Sequence, residues 1–232
     1  MPDEIIYREG ALTFPEIGSE FASIGSRNLG YLIAATVVMT VGLSAWDLLT
    51  NNQAQFLPQL VMNILGQCLV VERLLADRLP GGRGARRYGS IFGVSFLTGL
   101  GIALSALLLL LPAIYVTGRW SVAIQAVIAE DRGATDAMQQ SWDRTGPSQW
   151  LLFAVYLAAM VIFVGGTVGL LAFTGEWAAL FDVDATEPVL TTTSILAVNA
   201  LLVVFSVASW MLSTAIYRCM TTTTGELDSV FA

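Results

Sequence analysis

Histidine and lysine are absent from the 232 residues, so all side-chain positive charge rests on 11 arginines. Without histidine there is no Ser-His-Asp or Cys-His nucleophile system, no His-ligated zinc or haem and no HExxH motif. Without lysine there is no Walker A lysine, no Schiff-base chemistry and no SxxK motif. Cysteine is nearly absent too: Cys68 and Cys219 lie in apolar runs and read as two buried thiols rather than a disulfide. Charge is scarce, at 12 % of residues against 55 % hydrophobic, about half the charge of an ordinary soluble chain. The net charge of −7 leaves no basic face for phosphate backbones, which argues against nucleic acid as a partner.

What is present is a series of apolar runs. A hydrocarbon core about 30 Å thick needs about 20 apolar residues of helix. The runs predict an all-α, polytopic integral membrane bundle of about six spans, at about 29–48, 56–75, 91–111, 113–130, 149–173 and 191–217. Residues 91–130 are too many for one helix, and Pro112 followed by Gly118 divides them into a span and its return. Residues 1–28 then form an N-terminal cytoplasmic segment, 29–217 the membrane domain and 218–232 a cytoplasmic tail.

Arginine placement supports this division. With the N-terminus inside, Arg8, Arg27, Arg73, Arg78, Arg83, Arg86, Arg87, Arg132, Arg144 and Arg218 all fall on the cytoplasmic side. Only Arg119 remains within a span, and the 174–190 loop carries Glu176, Asp182, Asp184 and Glu187 with no counter-charge. Tyr31, Tyr88, Trp150 and Tyr217 mark the expected inner boundary, and Trp46, Tyr115 and Trp177 the outer one. The acidic start Asp3-Glu4 is unlike a secretory signal. Phe14, Ile17, Phe21 and Ile24 recur at spacings of three and four, which predicts an amphipathic helix along the inner interface. The Gly/Arg-rich stretch 80–87 reads as a flexible turn that acts as a topology signal.

Candidate site residues follow from polarity inside these spans. Gln55, Gln59, Asn63 and Gln67 recur every four residues, so one face of the second span is polar and cannot look at lipid. That stripe reads as interhelical hydrogen-bond glue, with Gln125 and Asn199 as partners, or as a polar pathway or headgroup groove. Arg119 needs company: it snorkels outward past Tyr115, pairs with Asp47, or meets a phosphate or carboxylate ligand. Glu130 is expected either to pair with Arg144 or Arg73 and so to anchor a short cytoplasmic helix over 135–145, capped by Thr135 and ended by Gly146 before Pro147, or to serve as a general acid or base. The small-residue pairs Gly89/Gly93, Ser95/Gly99/Ala103 and Gly165/Gly169 permit close helix packing within the monomer.

The stretch 107–150 carries a recognisable pattern: a Leu-rich span, then Pro112, Tyr115, Arg119, Glu130, Ala137, Ser141, Trp142, Gly146 and Trp150. It resembles the membrane domain attached to some bacterial glycerophosphoryl diester phosphodiesterases, and free-standing six-helix relatives of unknown function. The resemblance implies an all-α bundle of about six spans in a bacterial inner membrane. It does not imply phosphodiesterase activity, because in the attached proteins the chemistry belongs to a separate barrel domain of about 250 residues with His and acidic metal ligands. Pro147 stands where basic residues are often seen in those relatives.

With no catalytic set, cofactor or metal ligands legible, the sequence points to a non-catalytic integral membrane protein that scaffolds a partner or handles lipid. Membrane lipid and a cytoplasmic or membrane protein are the partners it implies. The alternative is a transporter or channel subunit that uses the second-span amides and Arg119.

Overall fold

A computed structural model describes residues 5–7, 10–50, 56–79, 88–108, 110–174 and 191–223. Gln55, the 80–87 turn, the acidic residues of the 174–190 loop and the end of the tail lie outside the described residues.

The described residues are all-α apart from one three-residue strand pairing. Strand β1 (Ile5–Tyr7) is followed by α1 (Phe14–Leu49), α2 (Phe56–Leu74), α3 (Tyr88–Leu108), α4 (Leu110–Arg119), α5 (Ala123–Glu130) and α6 (Ala134–Thr145). A single 3-10 turn (Gly146–Ser148) leads into α7 (Gln149–Thr174), then α8 (Thr192–Met220) and β2 (Thr221–Thr223). Among the described residues, four stretches are long and apolar enough to cross a membrane: Phe14–Leu49, Leu110–Glu130, Ala134–Thr174 and Thr192–Met220. Taken with α2 and α3 they make six helical units.

The segment expected to lie along the interface is instead continuous with the first span. Thr13 and Glu16 form a capping box at the start of α1, and Pro15 sits in its first turn. From there 36 residues run unbroken, about 54 Å against a hydrocarbon core of about 30 Å. Ile17 and Ile24 are buried in the core, because their stripe faces α8 rather than a bilayer surface. The two helices are antiparallel partners: Glu20 meets Arg218 at one end, and Ser44 meets Asn199 at the other. Between these ends Leu32, Met39, Val203, Val207 and Trp210 fill the core. Outward, Leu29, Ile33, Val37 and Val41 stand exposed, as a helix with lipid for its solvent requires.

Close packing falls on other glycines than the expected pairs. A Cβ on Gly66 would lie 2.7 Å from Met39 Cε and 3.2 Å from the Trp210 ring, so a larger residue there would make the Met39 side chain shift. Of Gly89, Gly93, Gly99, Gly165 and Gly169, only Gly93 meets a neighbour at its Cβ position, Ala134 at 3.1 Å.

The 91–130 run turns back near residue 109, as expected, with Pro112 in the first turn of α4 where its missing N–H costs no hydrogen bond. The return is itself broken at residues 120–122. Helix α6 starts one residue earlier than expected, with Gly133 rather than Thr135 as its cap. Gly146 stays helical (φ −52°, ψ −53°) instead of turning left-handed. Pro147 fits the first turn of the following 3-10 segment, and the axis therefore carries on into α7.

Candidate functional site

The break between α4 and α5 frees a main-chain acceptor. The N–H of Ala123 donates to Trp120 O at 3.2 Å, so Arg119 O loses its usual partner four residues on. Helix α6 supplies the replacement: Ser141 Oγ donates to Arg119 O at 2.8 Å, and Thr145 Oγ1 lies 3.1 Å from the same oxygen. The Arg119 guanidinium stacks 4.5 Å from the centre of the Trp142 ring. Gly146 leaves room beside it, since a Cβ there would lie 3.4 Å from Nη1. Arg119, Ser141, Trp142 and Gly146, scattered over 28 positions of sequence, thus converge on one junction.

Arg119 is 6 % exposed, and its Nε and Nη1 find no hydrogen-bond partner among the described residues. Of the three arrangements open to Arg119, the pairing with Asp47 does not form. Asp47 faces α8, where its Oδ2 accepts from Asn199 Nδ2 at 2.7 Å. Arg119 faces α6, and a buried guanidinium over an aromatic ring takes part of its compensation from the ring quadrupole.

Tyr115 and Trp150, expected at opposite membrane boundaries, meet. The Tyr115 hydroxyl donates to Gln149 Oε1 at 2.9 Å, and its ring centre is 6.3 Å from that of Trp150. Boundaries about 30 Å apart cannot both hold these residues. Helix α4 therefore sits beside the start of α7, with Tyr115, Trp120, Trp142 and Trp150 forming an aromatic rim at one level.

Glu130 anchors α6, as expected. Arg144 Nη1 and Nη2 donate to its two carboxylate oxygens at 2.8 and 3.0 Å, a bidentate pair. Arg132 Nε at 2.8 Å and the Tyr217 hydroxyl at 2.9 Å also donate to it, as does the Tyr7 hydroxyl. Arg144 also lies 3.6 Å over the Tyr7 ring, which pins β1 to the same cluster. Arg73, the other expected partner of Glu130, lines a separate cleft.

The amide stripe faces a hollow. Gln59, Asn63 and Gln67 project from α2 toward Ser95 and Thr98 of α3, around a space of about 440 Å³. A second lobe of about 430 Å³ shares Asn63, Gln67, Thr98 and Ile124 with the first and continues past Ser121 and Tyr156 to Trp210 and Ser213. Among the described residues, the expected bonds from this stripe to Gln125 and Asn199 do not form. Gln125 donates from Nε2 to Ser213 Oγ at 2.7 Å, and Asn199 is taken by Asp47 and Ser44. Among the described residues, Ser95 Oγ and Thr98 Oγ1 are buried without a partner. The sequence candidates therefore occupy three places: Arg119 in the α4–α6 junction, Asp47 against α8, and the amides in the hollow.

Arginine 218 was legible only as a topology signal. In the structure its Nε donates to Glu20 at 2.6 Å and its Nη1 to Asp77 at 2.7 Å and to Leu74 O at 3.3 Å. Partial burial pushes the Asp77 carboxyl up, but the Arg218 guanidinium outweighs that and holds it below the usual carboxylate range. Arg78 Nη1 ties the same corner to Thr221 O at 2.7 Å. Among the described residues no three His, Cys, Asp or Glu side chains converge as metal ligands.

A family model described as the membrane domain of glycerophosphoryl diester phosphodiesterase matches residues 91–229, more than half of the chain. The match spans α3 to β2 and so includes both the Arg119 junction and most of the hollow's walls. No curated protein and no solved structure matches.

Proposed function

The chain belongs to the family of membrane domains of glycerophosphoryl diester phosphodiesterases, and from that premise we propose a non-catalytic integral membrane protein that holds a polar-headed lipid in the hollow beside α2. One observation carries this reading: Gln59 and Asn63, both exposed, and the half-buried Gln67 line this open hollow with no hydrogen bond among the described residues, beside the hydroxyls of Ser95 and Thr98, which are unpartnered there. Polar groups at membrane depth cost free energy until something satisfies them, whether they line a groove or face lipid. A headgroup bearing hydroxyls or esters would do so, while the rest of the lining, with Ile64, Ile102 and Ile124, suits an acyl chain.

The same reading places the protein in the bacterial cytoplasmic membrane with both termini inside. The pairing of Ile5 with Thr223 and of Tyr7 with Thr221 brings the two ends of the chain together at one face, which favours an even number of crossings. Arg132 and Arg144 meet Tyr217 and Tyr7 at that face through Glu130, and Arg78 and Arg218 border Thr221, so the positive-inside bias makes it the cytoplasmic one. A cytoplasmic scaffold role would use this face.

Native mass spectrometry of the protein from nanodiscs tests the reading. Wild type should retain lipid, and Asn63→Leu/Gln67→Leu should lose most of it; equal retention would remove the hollow from the account. Transport is the second reading, favoured by the way the two lobes join at Asn63 and Gln67 and run from the α2–α3 wall to the α7–α8 wall. Substrate-dependent flux in proteoliposomes, abolished by the same double substitution, would establish it.

A further inference from the structure

Apart from the hollow, a cleft of about 270 Å³ opens between α1, α2 and the end of α8, and its polar lining is dominated by Arg27, Arg73, Arg218 and Asp77. Three guanidiniums meet one carboxylate in the lining, Asp77, and a second, Glu20, that reaches Arg218. Arg218 is 8 % exposed and already committed, through Nε and Nη1, to Glu20 and Asp77. Its other Nη, and both Arg27 and Arg73, make no ion pair among the described residues. A fixed and buried guanidinium thus floors the cleft, with two exposed ones at its sides that form no ion pair among the described residues.

The cleft sits where the apolar surface of both helices stops. On α1, Leu29 and Ile33 are exposed just beyond Arg27; on α2, Leu65 and Leu69 are exposed just before Arg73. The Tyr31 hydroxyl donates to Leu69 O at 3.1 Å and locks the two helices at that level. A soluble anion would need only the arginines. An anion that carries acyl chains would use the arginines and the adjoining leucine surface together, with its phosphate at headgroup depth.

We infer that the Arg27/Arg73/Arg218 cleft is a binding site for the phosphodiester of an anionic phospholipid from the adjoining leaflet. The phosphate oxygens take Arg27 and Arg73 in charge-assisted hydrogen bonds, while Asp77 and Glu20 hold the Arg218 guanidinium in place. This site is separate from the amide hollow and stands whether or not the hollow holds lipid.

The test uses the full chain in detergent or nanodiscs, with phosphatidylglycerol, phosphatidylcholine and inorganic phosphate as probes in native mass spectrometry. Wild type should retain phosphatidylglycerol over phosphatidylcholine. Arg27→Gln/Arg73→Gln should lose that preference by about thirtyfold, from two surface-level arginines. Arg27→Lys/Arg73→Lys should keep most of it, and Asn63→Leu/Gln67→Leu should leave it unchanged. If the double glutamine variant fails to fold, Arg73→Gln alone should lower the preference several-fold. Equal phosphatidylglycerol retention in wild type and the glutamine variants would overturn the proposal. Displacement of the lipid by millimolar inorganic phosphate would overturn it too, by making the cleft a site for free anions.

Discussion

Ser141 Oγ donates to the main-chain carbonyl of Arg119 at 2.8 Å, across 22 residues of sequence. The bond closes a helix break with a side chain from the next helix. It explains why a serine in α6 and an arginine in α4 belong to one motif: the arginine contributes its carbonyl as well as its guanidinium.

Removal of that donor should destabilise the fold. Thr145 Oγ1 is closer to Ser141 O, at 2.7 Å, than to Arg119 O, so Ser141 is the more committed partner of the two. Ser141→Ala should cost about 1–3 kcal/mol, the range for leaving a buried acceptor unpaired. Thr145→Val should cost less by itself and more when added to Ser141→Ala. Thermal unfolding in detergent checks this, and strict additivity would contradict the shared acceptor.

Glu130 should tolerate little change. Its carboxylate is buried, with 7 % of the side chain exposed, beneath Arg144, Arg132 and Tyr217. Glu130→Ala leaves Arg144 half-buried without its counter-charge and should cost about 3–5 kcal/mol. Tyr217→Phe removes one donor and should cost about 1 kcal/mol. Folded yield and unfolding midpoints in one detergent give the ranking, and a milder Glu130 variant than Tyr217→Phe would refute it.

The Asp77–Arg218 pair predicts a pH window. The folded-state carboxyl of Asp77 lies below its usual range, so its contribution to stability is complete above the unfolded value, about 4. That contribution is lost as the pH falls through the lower folded value. The Asp77 side chain is half-exposed, so the effect is small and screened. Wild type and Asp77→Asn should differ by a constant melting shift above about pH 5 and converge in stronger acid. A difference that grows on acidification would contradict the pairing.

Much of the bundle was legible because apolar run length and arginine asymmetry respond to the bilayer itself. The Glu130–Arg144 pair was legible for a similar reason, since a carboxylate at a helix end needs a nearby cation. The Arg119 junction was not. Its carbonyl becomes available only because α4 stops at residue 119, and neither Trp120, Ser121 nor Val122 signals a break. Periodicity showed that the amides share a face, but not whether that face meets partners or a space. The stripe of Phe14, Ile17, Phe21 and Ile24 was ambiguous in the same way, since a helix partner and a bilayer surface ask for one pattern.

The unpaired amides carry a stability prediction as well. Asn63→Leu and Gln67→Leu remove no hydrogen bond to the described residues, so each should leave stability within about 0.5 kcal/mol of wild type or raise it. A loss of more than about 2 kcal/mol would mean that the amides hold the bundle together after all.

Photo-crosslinking with a phospholipid that carries a diazirine on its acyl chain, mapped by peptide mass spectrometry, tests the central claim most directly. The account predicts adducts on hollow-lining residues such as Ile124, Tyr156 and Trp210, lost in Asn63→Leu/Gln67→Leu. Adducts confined to outward residues such as Val61, Ile162 and Phe173, unchanged by that substitution, would contradict it.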